Sequence, residues 1–114
     1  MEYKIKNFRK SHGDMYGFNY YYEDEIPADT SVILSMPPVT ANKRSVNDVG
    51  WMVECADSDA NNVFVKGTLS SNVNENSIWQ NLLPGEDVNK TISGVMITNN
   101  GSSPCKAVIR VILC

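Results

Sequence analysis

The apolar residues of this chain occur in short runs rich in Val and Ile, and this pattern restricts the fold more than any other feature. Val and Ile together number 20, whereas Leu and Ala together number 10. β-Branched residues favour strands, and the 29 Asn, Ser and Thr residues favour the polar turns between strands. A length of 114 residues fits one domain. The sequence therefore predicts an all-β domain and argues against a helical bundle.

Turn signals recur about every eight to twelve residues and divide the chain into roughly six or seven strands. One predicted strand begins near Met15 and ends before Pro27, because proline cannot donate a hydrogen bond to a β-ladder. A short apolar segment at 78–83 is expected to close one end of the fold. The remaining predicted strands are residues 31–36, 49–56, 63–69, 92–99 and 105–113.

Two pairs of these strands are predicted to form hairpins. Strands 49–56 and 63–69 are joined by a turn rich in Asp and Asn. Strands 92–99 and 105–113 flank Asn100-Gly101, a pair that favours tight turns because both residues tolerate positive φ. The last strand is mostly apolar on both faces, so it is expected at the centre of a sheet. These features predict a two-sheet antiparallel β-sandwich, with a jelly-roll or an immunoglobulin-like topology.

Residues 1–26 differ from the sandwich predicted for residues 27–114 and are expected to form an N-terminal docking arm. Residues 1–12 contain four Lys and Arg residues against one Glu, a local charge of +3, whereas the whole chain carries −3. Alternating aromatic residues follow, and such residues anchor many protein interfaces. The alternative is that this segment completes a sheet of its own domain. The predicted interface residues are Lys4, Lys6, Arg9, Lys10, Tyr16, Phe18, Tyr20 and Tyr22.

The sequence contains no pattern typical of a catalytic or metal site. His12 is the one histidine, so no pairing of a nucleophile with a histidine on a rigid element can be proposed. Three cysteines lie far apart and are expected to be reduced thiols. The run from Asp57 to Asn61 resembles the start of a calcium loop, but the sixth position is Asn62 and the twelfth is Thr68. We predict no enzymatic activity, no metal and no cofactor.

Charge and hydropathy restrict the possible partners. A net charge of −3 gives no overall cationic field for binding nucleic acid or an anionic membrane. The longest apolar stretches have the length of strands, so neither a membrane span nor a signal peptide is predicted. Sandwich loops that carry Trp, Tyr and Asn can bind sugars. A carbohydrate-binding module is therefore the alternative function, with Trp79 as its candidate ligand-binding residue.

Three segments carry a resemblance to a known group of proteins: Gly67-Thr68-Leu69-Ser70, the loop from Trp79 to Thr91, and the ending from Ala107 to Leu113. In this order, over residues 48–113, they resemble small β-sandwich virion proteins of tailed bacteriophages. Such proteins decorate heads, collars or tails and act by assembly. The resemblance implies a non-enzymatic structural subunit of the virion, assembled in the host cytoplasm. Its expected partners are other virion proteins and further copies of the chain.

Overall fold

The computed structural model describes residues 1–10, 20–36, 46–54, 62–82 and 92–113, which form two β-sheets. Sheet A has five strands in the order β1-β4-β8-β6-β7, and sheet B has four strands in the order β2-β3-β9-β5. This arrangement confirms the predicted all-β, two-sheet fold and fits a β-sandwich. The strands are β1 (Glu2–Lys6), β2 (Arg9–Lys10), β3 (Tyr20–Ile26), β4 (Thr30–Ser35), β5 (Val46–Glu54), β6 (Val63–Thr68), β7 (Gln80–Asn81), β8 (Gly94–Asn99) and β9 (Cys105–Leu113).

The core is built from alternate residues of strands in both sheets. In sheet A, β4 contributes Val32 and Leu34 and β8 contributes Val95 and Ile97, each at most 1% exposed. Because successive side chains of a strand point to opposite faces, alternate apolar residues suffice to cover one face. The same cluster includes, from sheet B, Tyr22, Ile26, Ala107 and Ile109.

The last strand, β9, lies between β3 and β5, which confirms its predicted central position. Its residues Cys105, Ala107 and Ile109 are buried, and Lys106 and Arg110 are exposed on the other face. Its neighbour β3 ends immediately before Pro27, as the missing backbone donor of proline predicts.

Both predicted hairpins are wrong. β8 pairs with β4 and β6 in sheet A, whereas β9 pairs with β3 and β5 in sheet B, so the connection between them crosses from one sheet to the other. The strands β5 and β6 likewise belong to different sheets. A turn that changes sheets uses the same Asn- and Gly-rich residues as a hairpin turn, so the local sequence does not distinguish them.

The described parts of residues 1–26 do not form a separate arm, because they supply strands to both sheets. β1 pairs with β4, from Glu2 opposite Thr30 to Lys6 opposite Leu34, and this pair is parallel rather than antiparallel as predicted. Phe8 then packs against the core. β3 pairs with β9 along its whole length. Residues 1–10 and 20–26 therefore agree with the alternative interpretation, in which this segment completes a sheet of its own domain.

Candidate interaction surfaces

The outer face of sheet A, which points away from the core, exposes apolar side chains near both of its margins. Tyr3 and Ile5 of β1 are 46% and 68% exposed, and Phe64 of β6 is 36% exposed. The Lys66 Nζ lies 6.0 Å from the centroid of the Phe64 ring. The strand register aligns one row of Tyr3, Ser31, Thr98 and Phe64 and a second row of Ile5, Ile33, Met96 and Lys66.

The centre of this face is closely packed. Ile33 and Met96 are buried, and the hydroxyl groups of Ser31 and Thr98 are 2.9 Å apart and share a hydrogen bond. The Ser31 hydroxyl also donates to the sulfur of Met1 at 3.3 Å, so Thr98 can donate to Ser31 and both hydroxyl donors have an acceptor. The outer face of sheet A therefore combines a satisfied centre with exposed apolar margins.

The loop between β6 and β7 covers one end of the outer face of sheet A. A Cβ placed on Gly94 would lie 2.5 Å from Cγ1 of Val73, so this loop residue packs directly over the glycine. The Ser93 hydroxyl donates to the carbonyl oxygen of Ser70 at 2.6 Å, which ties the loop to the start of β8. Leu69 and Ile78, at the two ends of the loop, are 63% and 84% exposed.

Trp79, the candidate sugar-binding residue, lies at the end of the same loop and is partly buried. Its indole Nε1 donates a hydrogen bond to the carbonyl oxygen of Asn74 at 3.1 Å. The polar edge of the indole is therefore already bonded within the chain. Any sugar contact would have to use the exposed part of the ring.

The outer face of sheet B is charged. The register sets Glu25 of β3, Lys106 of β9 and Glu54 of β5 side by side. The Lys106 Nζ lies 3.5 Å from Oε1 of Glu23. Together with Asp24, Pro104 and the buried thiol of Cys105, these residues line an open depression of about 700 Å³.

Across the described ranges, no group of three His, Cys, Asp or Glu residues is arranged to hold a metal ion.

Tyr22 is a core residue, so its predicted role as an exposed interface anchor is wrong. It is 5% exposed and packs in the cluster between the sheets. Burial, the charge of Asp24 and a hydrogen bond to that side chain together raise the pKa of its phenol to about 12, and the charge of Arg9 opposes the shift. The neighbouring Tyr20 is partly buried against the same core. The alternation of aromatic residues indicated a shared face, and for Tyr20 and Tyr22 this face points inward.

The other predicted interface residues are divided between two strands at sheet edges. Lys4 and Lys6 lie on β1, and Arg9 and Lys10 lie on β2, opposite Tyr21 and Tyr20. Lys4 is partly buried, whereas Lys6 and Arg9 are exposed. Tyr16 and Phe18 lie outside the described residues, as do His12, Cys55, Cys114 and the calcium-like run from Asp57 to Asn61.

The exposed apolar residues on β1 and β6 were missed as candidates by the sequence reasoning. Tyr3 and Ile5 alternate with charged residues in Glu-Tyr-Lys-Ile-Lys, which is the signal of a strand with one apolar face. The interpretation of residues 1–12 as a basic arm did not take this alternation into account.

Comparison of the chain with models of protein families, with curated proteins and with solved structures gives no match. In the part of the chain that the structure describes, no helix has the length and apolar character needed to cross a membrane.

Proposed function

We propose that this chain is a non-enzymatic structural subunit of a virus particle, of the kind found in the heads, collars or tails of tailed bacteriophages. Its partners are other virion proteins and further copies of the chain, and it acts through protein–protein contacts in the virion. The observation that carries the proposal is the outer face of sheet A, where Tyr3, Ile5 and Phe64 expose apolar surface. Exposed apolar patches are typical of protein–protein contact sites.

We further propose that the sandwich has a jelly-roll topology rather than an immunoglobulin-like one. The segment β3–β4 runs alongside β9–β8, since β3 pairs with β9 and β4 pairs with β8. The segment β5–β6 runs along the other side of the same two strands. A long ribbon that rolls in this way alternates between two sheets, which is the characteristic path of a jelly roll. Domains of this architecture occur in viral capsids, and this supports the proposed function by analogy only.

The proposal is tested by the composition of purified particles of the virus that encodes this chain. Mass spectrometry should find several copies of the chain in each particle. A variant that combines Ile5→Asp with Phe64→Asp should fold but be lost from the particles, because both changes charge the outer face of sheet A. Ile78→Asp is the control, since Ile78 is also an exposed apolar residue but lies on a loop rather than on a strand of sheet A. Absence of the unmodified chain from purified particles would overturn the proposal.

A carbohydrate-binding module is the second candidate, and the position of Trp79 is the observation that favours it. Its bond to Asn74 fixes the ring in a loop rich in Asn and Ser, and fixed aromatic rings can stack on sugars. On a glycan array, this function predicts binding that is lost in Trp79→Ala and retained in Trp79→Phe. A chain that binds no glycan on such an array is not a carbohydrate-binding module of this kind.

A further inference from the structure

We propose that two copies of this chain pair through the side of β1 that faces away from β4 and join their A sheets into one continuous sheet across a two-fold axis. This inference rests on the assembly function proposed above and names its partner and surface. β1 is an end strand of sheet A, and among the described residues only β4 pairs with it. An end strand presents unpaired backbone N–H and C=O groups, which are a template for an added strand.

The sequence of β1, Glu-Tyr-Lys-Ile-Lys, complements itself when a second copy runs antiparallel to it. In the register centred on Lys4, Glu2 lies opposite Lys6 of the partner subunit. Tyr3 lies opposite Ile5 of the partner subunit. The two-fold axis repeats each contact, which produces two pairs of opposite charge and two pairs of an aromatic with a β-branched residue. Both kinds of cross-strand pair stabilise antiparallel sheets.

The two-residue period of a strand restricts the possible registers. A shift by one residue would place each charged residue opposite an apolar residue, although the side chains of these two residues point to opposite faces of the sheet. A register centred on Tyr3 keeps the faces aligned but pairs only residues 2–4. A register centred on Ile5 brings Lys4 opposite Lys6 of the partner subunit, which is repulsive. The register centred on Lys4 is therefore the one that uses all five residues of β1 and pairs Glu2 with a lysine.

Pairing in this register also covers exposed apolar surface. Ile5 is 68% exposed and Tyr3 is 46% exposed, and both lie on the outer face of sheet A. Each would shield the other across the axis, and the apolar margins of two outer faces would become one continuous band. The one unfavourable contact is between the two Lys4 residues at the axis. Lysine on an end strand can also serve to block pairing, so the experiment must separate these two roles.

The test is sedimentation equilibrium of the purified full chain over a range of concentrations. Glu2→Lys and Lys6→Glu each replace both opposite-charge pairs with like-charge pairs, and each should weaken the dimer about tenfold. The double variant restores the pairs in reversed order and should return the Kd to that of the unmodified chain. Glu75→Lys changes a charge on an exposed loop and should leave the Kd unchanged. Thermal melts of all variants verify that each is folded.

Lys4→Gln tests the register. Removing the like charges at the axis should tighten the dimer about threefold or more, because no repulsion remains there. In a register centred on Tyr3, Lys4 would face Glu2, and the same change would weaken the dimer. A dimer whose Kd does not respond to Glu2→Lys and Lys6→Glu would overturn the proposal, since it would use another surface. A chain that is monomeric at every concentration would overturn it as well.

The proposed dimer and the proposed virion function can each be excluded without excluding the other. A monomeric chain that is still incorporated into particles excludes the β1 pairing and leaves the proposed function intact. A charge-dependent dimer in solution, together with absence of the chain from particles, excludes the virion function and retains the pairing.

Discussion

Asn99 is completely buried at the end of β8, and its side chain joins three parts of the chain. Its amide nitrogen donates to the carbonyl oxygen of Ile26 at 3.1 Å and to that of Ser103 at 2.9 Å. Its Oδ1 accepts a hydrogen bond from the backbone nitrogen of Gly101 at 2.9 Å. This one side chain therefore satisfies the backbone where the chain crosses from sheet A to sheet B.

Replacing Asn99 by Ala should leave these buried backbone groups without their side-chain partner. We expect Asn99→Ala to lower the free energy of unfolding by about 2–4 kcal/mol, because each unsatisfied buried group is costly. Urea unfolding followed by circular dichroism measures this loss. Asn100→Ala is the control, since Asn100 is exposed, and it should change the stability by less than about 0.5 kcal/mol. Equal effects of the two variants would contradict the role assigned to Asn99.

The phenol of Tyr22 makes stability depend on pH in the alkaline range. Its pKa is raised to about 12 in the folded chain, whereas an unfolded tyrosine titrates near ~10. The folded state therefore favours the protonated phenol. This contribution to stability is complete below about pH 10 and is lost as the pH rises towards about 12.

We expect the free energy of unfolding to fall between about pH 10 and 12, and to fall less steeply in Tyr22→Phe, which has no phenol to ionise. Urea unfolding at several pH values measures both slopes. Tyr3→Phe removes an exposed phenol and should keep the pH dependence of the unmodified chain. An unchanged slope in Tyr22→Phe would show that other groups cause the loss.

At the scale of elements, strand positions could be predicted from the sequence more reliably than strand partners. The predicted strands 31–36 and 63–69 correspond to β4 and β6 within one residue at each end, and 105–113 coincides with β9. Alternation of apolar residues depends only on the sequence of the strand itself, so it indicates a strand whichever strands lie beside it. The sheet to which a strand belongs depends on the path of the whole ribbon. Asn100-Gly101 indicated a turn but not that the turn crosses between sheets.

The packing of the loop between β6 and β7 on β8 depends on the absence of a side chain at Gly94. A Cβ there would lie 2.5 Å from Cγ1 of Val73 and 3.1 Å from the carbonyl oxygen of Leu34. We expect Gly94→Ala to lower the free energy of unfolding by about 1–3 kcal/mol, as overpacking does in other proteins. Adding Val73→Ala should recover part of the loss.

Gly67→Ala is the comparison for this prediction. The three atoms nearest to a Cβ at Gly67 would all belong to the side chain of Leu82, the closest at 3.2 Å, and this side chain can move. Gly67→Ala should therefore cost less than Gly94→Ala in the same unfolding measurement. The reverse order would mean that Val73 does not hold the loop on β8.

At the scale of the molecule, the described parts of the N-terminal segment, residues 1–10 and 20–26, supply strands to both sheets. Deleting residues 1–26 removes β1, β2 and β3, together with the core residues Tyr22 and Ile26. It also exposes the side of β9 that pairs with β3. We expect this deletion to abolish the cooperative thermal transition and to cause aggregation, because a central strand becomes an unprotected edge. Circular dichroism and light scattering measure both effects.

A shorter deletion provides the matched control. Removing residues 1–6 deletes only the end strand β1 and should leave a cooperative, less stable fold. Cooperative unfolding after loss of all 26 residues would restore the interpretation of this segment as a docking arm.

The outer face of sheet A could have been predicted from the sequence only in part. Alternation in β1 indicates that Tyr3 and Ile5 share a face, but their alignment with Phe64 requires the strand order β1-β4-β8-β6. The basic charge of residues 1–12 predicted Lys4 and Lys6 as interface residues instead. The charged residues of β1 indicate only that this strand is exposed to solvent. The order of the strands is needed to show that its apolar residues lie on the same face of the sheet as Phe64.

The central position of β9 has a consequence for synthesis of the chain. β9 is the last described strand to leave the ribosome, yet it supplies the pairing partner of both β3 and β5. Until β9 emerges, the position between β3 and β5 is empty, so sheet B cannot be completed before β9 has left the ribosome. Pairing between segments this distant in sequence is slow, on the order of milliseconds to seconds in all-β domains. The nascent chain is therefore expected to depend on protection from aggregation until β9 has emerged.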